Sequence, residues 1–330
     1  MGDCCRRNRA LVVGHIGFDY YVDLEYPYQF PDLKTKNDFE KYIKENNLSP
    51  YLGGTAGNTA AVMRAIGSLE VDRFTCGDLN GVKRYNDMTP LVHQEPHGMN
   101  KSISADDPYL CVPICLIFSK DEQQQVLLYD HTLHVYNSVQ EFNLVGGGVE
   151  YELLHITTVP PNATLKMVEE AHEKSPNTLI SFCPGQNLKL YAPKTFFKVL
   201  EYVNILFVND NEMKMVSEWA LSNSNDFKSF PDLIVHTRGS RATVISSKDG
   251  VEHVPTIKPL KLVDTTGAGD SYAGAFLSSY MVHKDPIRAA KFAATVASFI
   301  IEEVGCQTNI PTLEQRRERC KTWTKPLFSD

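Results

Sequence analysis

Between Asp264 and Asp270 the chain reads Asp-Thr-Thr-Gly-Ala-Gly-Asp, and it continues into the small and apolar run Ser271 to Val282. That run suits a buried helix, and the glycines before it let the backbone turn so that N–H groups and the positive end of the helix dipole converge on one point. Gly267, Ala268 and Gly269 would then form an anion hole. Asp270, at the helix start, would sit beside the place where negative charge develops, where a carboxylate can take a proton from an attacking hydroxyl. Taken alone, an Asp after a glycine turn usually just caps its helix. Two familiar phosphate loops do not account for the spacing: no G-x-x-x-x-G-K-[ST] is present, and the third Rossmann glycine position holds Tyr272.

A second glycine cluster, Gly53-Gly54-Thr55-Ala56-Gly57-Asn58, runs into the small, apolar stretch Thr59 to Ile66. It reads as a loop opening a tightly packed helix. Nearer the N-terminus, Leu11-Val12-Val13 before Gly14 and Gly17 reads as a buried strand ending in a turn, and Asp19 falls where strand-end ligands sit.

The elements that must hold these residues follow from periodicity. From Leu153 onward, short apolar strands (Leu153-Thr158, Leu179-Phe182, Ile205-Val208, Leu233-Thr237, Thr243-Ser246) are separated in several places by helical stretches, which predicts a mostly parallel sheet covered by helices on both faces. Ligands in such folds gather at the carboxyl ends of the strands. Residues 20–52, with Tyr26-Pro27-Tyr28 and a short helix near Asn37 to Glu45, read as an excursion from that sheet. Two strand-like runs, Leu110 to Ser119 and Gln125 to Tyr129, flank the polar turn Lys120 to Gln124 and predict a hairpin. Residues 78–107 are polar and carry no assignable period. The chain reads as one continuous α/β domain over residues 1–330, with a β-rich accessory element from about 18–52 and 108–132 and a leader over 1–10.

Composition excludes several classes. A net charge of −7 and the lack of a basic stripe argue against a nucleic-acid partner. The 8 cysteines among 330 residues are too sparse for a disulfide scaffold and point to a reducing, cytoplasmic setting. The strongest apolar stretch, Ala289 to Ile301, is short and broken by Lys291, so no transmembrane segment is expected. Met1-Gly2-Asp3-Cys4-Cys5-Arg6-Arg7 has the outline of an acylation signal, but Arg stands where Ser or Thr belongs, and a plain leader is the expectation. Cys111 and Cys115 share a strand-like run with no zinc-type histidine spacing, and the sequon Asn162-Ala163-Thr164 reads as chance.

Asp264 to Asp270 resembles the C-terminal signature of the PfkB or ribokinase-like family of carbohydrate and nucleoside kinases. The cluster Gly53 to Asn58 is similar to that family's N-terminal glycine motif, and Asn209-Asp210-Asn211-Glu212 after Ile205-Val208 resembles its N-x-x-E element. The resemblance spans residues 11–315, more weakly over 78–107. It implies a three-layer α/β/α ribokinase-like fold with a mostly parallel central sheet and a small β-sheet lid, and transfer of the γ-phosphate of ATP to a hydroxymethyl group of a nucleoside or sugar. By the same resemblance Asp270 is the catalytic base, Asp19, Gly54 and Asn58 bind the acceptor, and Thr237 and Gly239 approach ATP. Asn209 and Glu212 would hold Mg²⁺, partly through water, as hard oxygen ligands do. On residue type alone, Glu212 is a solvated first-turn helix residue. A monovalent cation such as K⁺ near Asp264 and Thr266, and a homodimer formed through the lid, are implied by the family only.

Two positions depart from the family. Cys183 in Ser181-Phe182-Cys183-Pro184-Gly185-Gln186 stands where Asp is usual and reads as a structural thiol, and Ala242 stands where Gly is frequent. The Pro-Gly-Gln, with Leu154-His155-Ile156-Thr157, resembles archaeal-type nucleoside kinases of the family. The rival reading is an inactive sugar- or nucleotide-binding sensor of the same fold. Retention of Asp270, Asn209 and Glu212 speaks against it.

Overall fold

The structure, a computed structural model, describes residues 8–23, 31–89, 112–120, 123–139, 141–142, 150–222 and 230–324. The leader with Gly2, Cys4 and Cys5, Tyr26-Pro27-Tyr28, Cys111 and most of the unassigned polar segment lie outside the described residues.

From the N-terminal side come β1 (Arg9–Val13), β2 (Gly17–Asp23), α1 (Lys36–Glu45), β3 (Tyr51–Gly53), α2 (Thr55–Ile66), β4 (Glu70–Phe74) and α3 (Leu79–Met88). The middle supplies β5 (Ile114–Lys120), β6 (Gln123–Tyr129), α4 (Thr132–Ser138), β7 (Leu153–Thr157), α5 (Pro161–Lys174), β8 (Leu179–Cys183) and α6 (Pro193–Leu200). Then follow β9 (Ile205–Val208), α7 (Asp210–Ser222), β10 (Leu233–His236), β11 (Thr243–Ser247), β12 (Gly250–Val254), α8 (Ala268–His283), α9 (Pro286–Ile300) and α10 (Leu313–Cys320).

Eight strands form the main sheet in the order β12-β11-β10-β9-β8-β7-β1-β4. It is parallel from β4 to β10, and β11 and β12 add an antiparallel edge. Alternate residues of each strand point to opposite faces, so both faces are apolar and both are covered. Leu11, Val13, Leu154, Ile156 and Leu206 pack in one core with α4 to α7. Ala10, Val12, Leu153, Ile205 and Phe207 pack in another with α2, α8 and α9. Phe207 and Phe276 meet there edge to face at 5.4 Å, a geometry that adds about 0.5–1.5 kcal/mol beyond the area buried.

α8 can lie against α2 because it carries small residues. A Cβ at Gly274 would fall 2.7 Å from the Thr59 carbonyl oxygen, so these backbones touch. That contact places the first turns of the two helices, with Asn58 and Asp270, side by side.

The lid is a second sheet of four strands in the order β3-β2-β5-β6. One face packs Phe18, Tyr20, Leu116 and Phe118 against Phe39 of α1 and Val82 and Tyr85 of α3. The hairpin is as expected, although its strands reach Lys120 and Gln123 and leave a shorter turn than Lys120 to Gln124. Two expectations are corrected. The polar stretch after position 78 contains α3, whose Val82 and Tyr85, three residues apart, are buried against the lid. Asp19 does not end a core strand; it lies inside lid strand β2, paired with Tyr51 on one side and Cys115 on the other. No helix among the described residues is long and apolar enough to cross a membrane.

Candidate active site

The carboxyl ends of the parallel strands and the inner face of the lid enclose the residues singled out from the sequence, in two groups. The first gathers around Asp270. Gly267 caps α8 with φ 70°, a left-handed conformation that favours glycine, and a Cβ there would lie 2.6 Å from Cys306 Cβ. In front of Gly269 there is open space, and among the described residues neither Gly269 N–H nor Asp270 N–H donates to a backbone carbonyl outside the helix. Ala268 N–H is used differently: it donates within the loop to Thr265 O at 3.2 Å. The positive end of α8 is thus open at Gly269, where an anion fits.

Asp270 is the third residue of α8, and its Oδ2 accepts Asn58 Nδ2–H at 2.9 Å. Burial pushes its carboxyl up to about 7; Asn58 opposes that, while the charges of Asp19 and Glu212 add to it. Gly54 is the N-cap of α2 with φ 80°, and α2 donates its first amides, Ala56 and Gly57, to His15 O. From the lid, Asp19 is 5% exposed, and burial pushes it up to about 6 against hydrogen bonds from the Cys306 and Cys115 thiols, with Asp264 adding to the rise. Its carboxyl lies flat over β3, since a Cβ at Gly53 would fall 2.1 Å from Asp19 Oδ2.

Asp264 ties lid and loop together. Its Oδ1 accepts Thr266 N–H at 2.9 Å, and its Oδ2 accepts both Gly305 N–H at 3.0 Å and the Tyr21 hydroxyl at 2.5 Å. Burial, with Cys306 and Asp264 close by, holds the Tyr21 phenol in its protonated, donating form.

The second group lies at β9 and β10. Val208 pairs with His236, which sets Asn209 beside Thr237, and Thr237 N–H donates to Val208 O at 2.9 Å. Asn209 and Glu212 form a capping box: Asn209 Oδ1 accepts Glu212 N–H at 3.0 Å, and the Glu212 carboxylate accepts Asn209 N–H and Nδ2–H at 2.9 Å each. Burial nevertheless raises the Glu212 carboxyl, against those two bonds. Gly239 takes φ 59° in the turn after Thr237, with open space around it. His236, Arg238 and Arg241 all donate to Asp210, at 3.0, 3.4 and 2.5 Å. Burial would raise Asp210, but Arg241 and His236 hold it below the usual carboxylate range. Glu212 links the two groups, since its charge reaches both Asp270 and Cys183.

Comparison with known proteins decides the family. Residues 112–313 match the model of the pfkB family carbohydrate kinases. The chain belongs to that family. A nucleoside kinase of Methanocaldococcus jannaschii is 30% identical over 95% of this chain and 97% of its own length. The crystal structure of that organism's nucleoside kinase superposes with a TM-score of 0.76 over 96% of this chain and 98% of the other. The Burkholderia thailandensis nucleoside kinase solved with inosine has a TM-score of 0.78 at 20% identity, over 95% and 96% of the two chains, which shows a shared fold.

As a pfkB-family kinase, the chain is an ATP-using phosphotransferase with an alcohol group as acceptor. The structure joins Asn58 to Asp270, sets Gly267 against Asn58 and Cys306, links Asp19 to Cys306 and Asp264 to Gly305, and keeps Asn209, Glu212, Thr237 and Gly239 as a neighbouring set. Cys183 ends β8 half-buried; burial pushes its thiol well up, with Glu212 and Asp270 adding to the rise, so it stays neutral beside the site. Sequence reasoning missed Tyr21, Tyr85, Cys306 and Gln307. The one signal for the last two is Gly305, a break after a long apolar helix.

Proposed function

We propose that this kinase transfers the γ-phosphoryl group of ATP to the hydroxymethyl group of a nucleoside, with Asp270 as general base. One observation carries the reading: a raised, half-buried carboxylate at the mouth of a helix N-terminus, fixed by Asn58 and faced by the lid carboxylate Asp19. Asp270 takes the acceptor's hydroxyl proton as that oxygen attacks the γ-phosphorus, and the bond from phosphorus to the β–γ bridging oxygen breaks to release ADP. The free amides at Gly269 and Asp270 stabilise charge on the transferring group. Asp19 and Gly54 hold the acceptor, and lid strands β2 and β5 keep water out.

Thr237 and Gly239 place the nucleotide along the strand ends. Asn209 and Glu212 offer hard oxygen ligands suited to magnesium, and Glu212, raised by burial, gains from a cation. When bound, magnesium supplies charge screening on the phosphates. Asp264 fits a different role from the K⁺ ligand implied by the family: three donors already occupy its two oxygens, which makes it an anchor for the loop.

The nucleoside assignment draws on the Methanocaldococcus relative and on the lid. Val126 and Leu128 pair with Ile117 and Cys115, which places them on the same face as Asp19, and they are 52% and 40% exposed. An apolar shelf beside a hydroxyl-binding carboxylate suits a sugar carrying a base better than a free hexose. Cytoplasmic residence, an unacylated leader and pairing through the lid complete the proposal, tested by fractionation and light scattering. A coupled kinase assay over a panel of nucleosides and hexoses tests the acceptor. We expect the highest kcat/KM with a nucleoside, and activity confined to hexoses would overturn the assignment.

A further inference from the structure

The loop after α9 touches Asp264, Asp19, Asn58 and Tyr85. Gly305 N–H reaches Asp264, Cys306 Sγ lies 3.8 Å from Asp19 Oδ2, and Gln307 Nε2 donates to Asn58 Oδ1 at 3.0 Å and to the Tyr85 hydroxyl at 2.8 Å. The Tyr85 hydroxyl in turn donates to Gly53 O at 3.0 Å.

The polarity of this chain of bonds is set at its far end. A backbone carbonyl can only accept, so Tyr85 must donate to Gly53 and accept from Gln307. The Gln307 group facing Tyr85 is therefore its NH₂. The second hydrogen of that NH₂ points at Asn58, which must present its carbonyl oxygen to receive it. Asn58 then has only its own NH₂ to turn toward Asp270, as the 2.9 Å contact to Oδ2 requires. An Asn turned the other way would put a carbonyl oxygen against a carboxylate.

We propose that Gln307 is a positioning residue for phosphoryl transfer: through the relay from Gly53 O by way of Tyr85, it fixes Asn58 so that an N–H, and never a C=O, faces Asp270. This rests on Asp270 being the base. Charges around Asp270 give the relay its importance. Asp19 from β2 and Glu212 from α7 repel its ionised form, the Cys183 thiol at the end of β8 and the Cys306 thiol beside Gln307 are neutral neighbours, and among these groups Asn58 of α2 is the one that opposes burial. Remove the N–H and the base stays protonated to higher pH.

Gln307→Glu tests this with almost no change of shape. A carboxylate at that position only accepts, so it draws the Asn58 NH₂ toward itself and turns the Asn58 carbonyl toward Asp270. Gln307→Leu removes the bonds without a charge. The measurement is the pH dependence of kcat/KM for the acceptor, with thermal unfolding of each variant and with Asp270→Asn as reference. We expect the acid limb to move up by about one pH unit or more in Gln307→Glu, which lowers the rate at neutral pH about fivefold or more, and to move less in Gln307→Leu, with the KM for ATP unchanged in both. An acid limb that stays in place in a folded Gln307→Glu protein overturns the relay; if that variant fails to fold, an unmoved limb in Gln307→Leu does so. Near-normal turnover in Asp270→Asn removes the base assignment itself, and the relay with it. Impaired Asp270→Asn beside an unmoved Gln307→Glu limb removes the relay alone.

Discussion

The two halves of the cleft solve opposite electrostatic problems. Around Asp270 the protein gathers carboxylates out of water, Asp19, Asp264 and Asp270, and steadies them with neutral donors: an amide, two thiols, a phenol and backbone N–H groups. Around Asp210 it does the reverse, setting an imidazole and two guanidinium groups on one carboxylate at a more open surface. Burial raises the pKa of a carboxylate, as it does for Asp19 and Asp270, which is useful where a base must accept a proton near neutral pH. On the proposed function, a cationic cluster beside a nucleotide's phosphates needs no such tuning. The difference suggests that chemistry and acceptor choice reside in the buried half, whereas the open half holds a polyphosphate.

Substitutions can break that division. The largest effect belongs to the buried half: Asp270→Asn keeps size and much of the hydrogen bonding but removes the proton acceptor. Its turnover should fall about 10²–10⁴-fold, with ATP and acceptor affinities by calorimetry little changed. A loss of both affinities together would instead mark Asp270 as a helix cap. Second is Gly53→Ala, whose methyl group would displace the Asp19 carboxyl. It should raise the acceptor KM about tenfold or more, since the cost of a misplaced binding carboxylate is of order 1.5–3 kcal/mol, and leave the KM for ATP alone. Equal changes in both would blur the two halves.

Glu212→Gln probes the bridge between them. The magnesium concentration for half-maximal rate should rise several-fold while acceptor binding persists, because an amide attracts the cation far less than a carboxylate. An unchanged magnesium titration would leave Glu212 as a capping residue only. Smallest is Arg241→Ala on the open side. Its bond to Asp210 is a surface pair worth about 0.2–1 kcal/mol, so the KM for ATP should rise no more than about fivefold, and less at high salt. A change of the size seen for Asp270→Asn would place chemistry where this account has none.

The same contrast explains what could be read in the sequence. Asp264 to Asp270 and Gly53 to Asn58 announce themselves because turns and close backbone contacts need glycine, a residue-type signal that survives without coordinates. The alternation of apolar strands after Leu153 fixed the parallel sheet in the same way. Asn209 and Glu212 were legible in two senses at once, and the structure holds them as a capping box. α3 escaped because its buried Val82 and Tyr85 stand among Asn, Gly, Lys, Arg and Asp, which obscure a helical period. Gln307 and Tyr21 escaped for a deeper reason: they lie 249 and 243 residues from the partners that give them meaning, Asn58 and Asp264. No local pattern records such a pairing. Asp19 fell within the expected accessory element but was also read as a strand-end position, whereas it lies inside lid strand β2.

The central claim is that Asp270 must be ionised to work, and the pH dependence of kcat/KM in the unaltered enzyme tests it most directly, since that quantity reports the free enzyme. A base is active when deprotonated, so the rate should be level above its pKa and fall below it. With Asp270 raised to about 7 and Asp19 to about 6, the fall should begin near neutrality and steepen as pH drops further. In Asp270→Asn the component near neutrality should vanish. A profile that stays level from pH 8 to pH 5, or a neutral limb that survives in Asp270→Asn, would contradict the account.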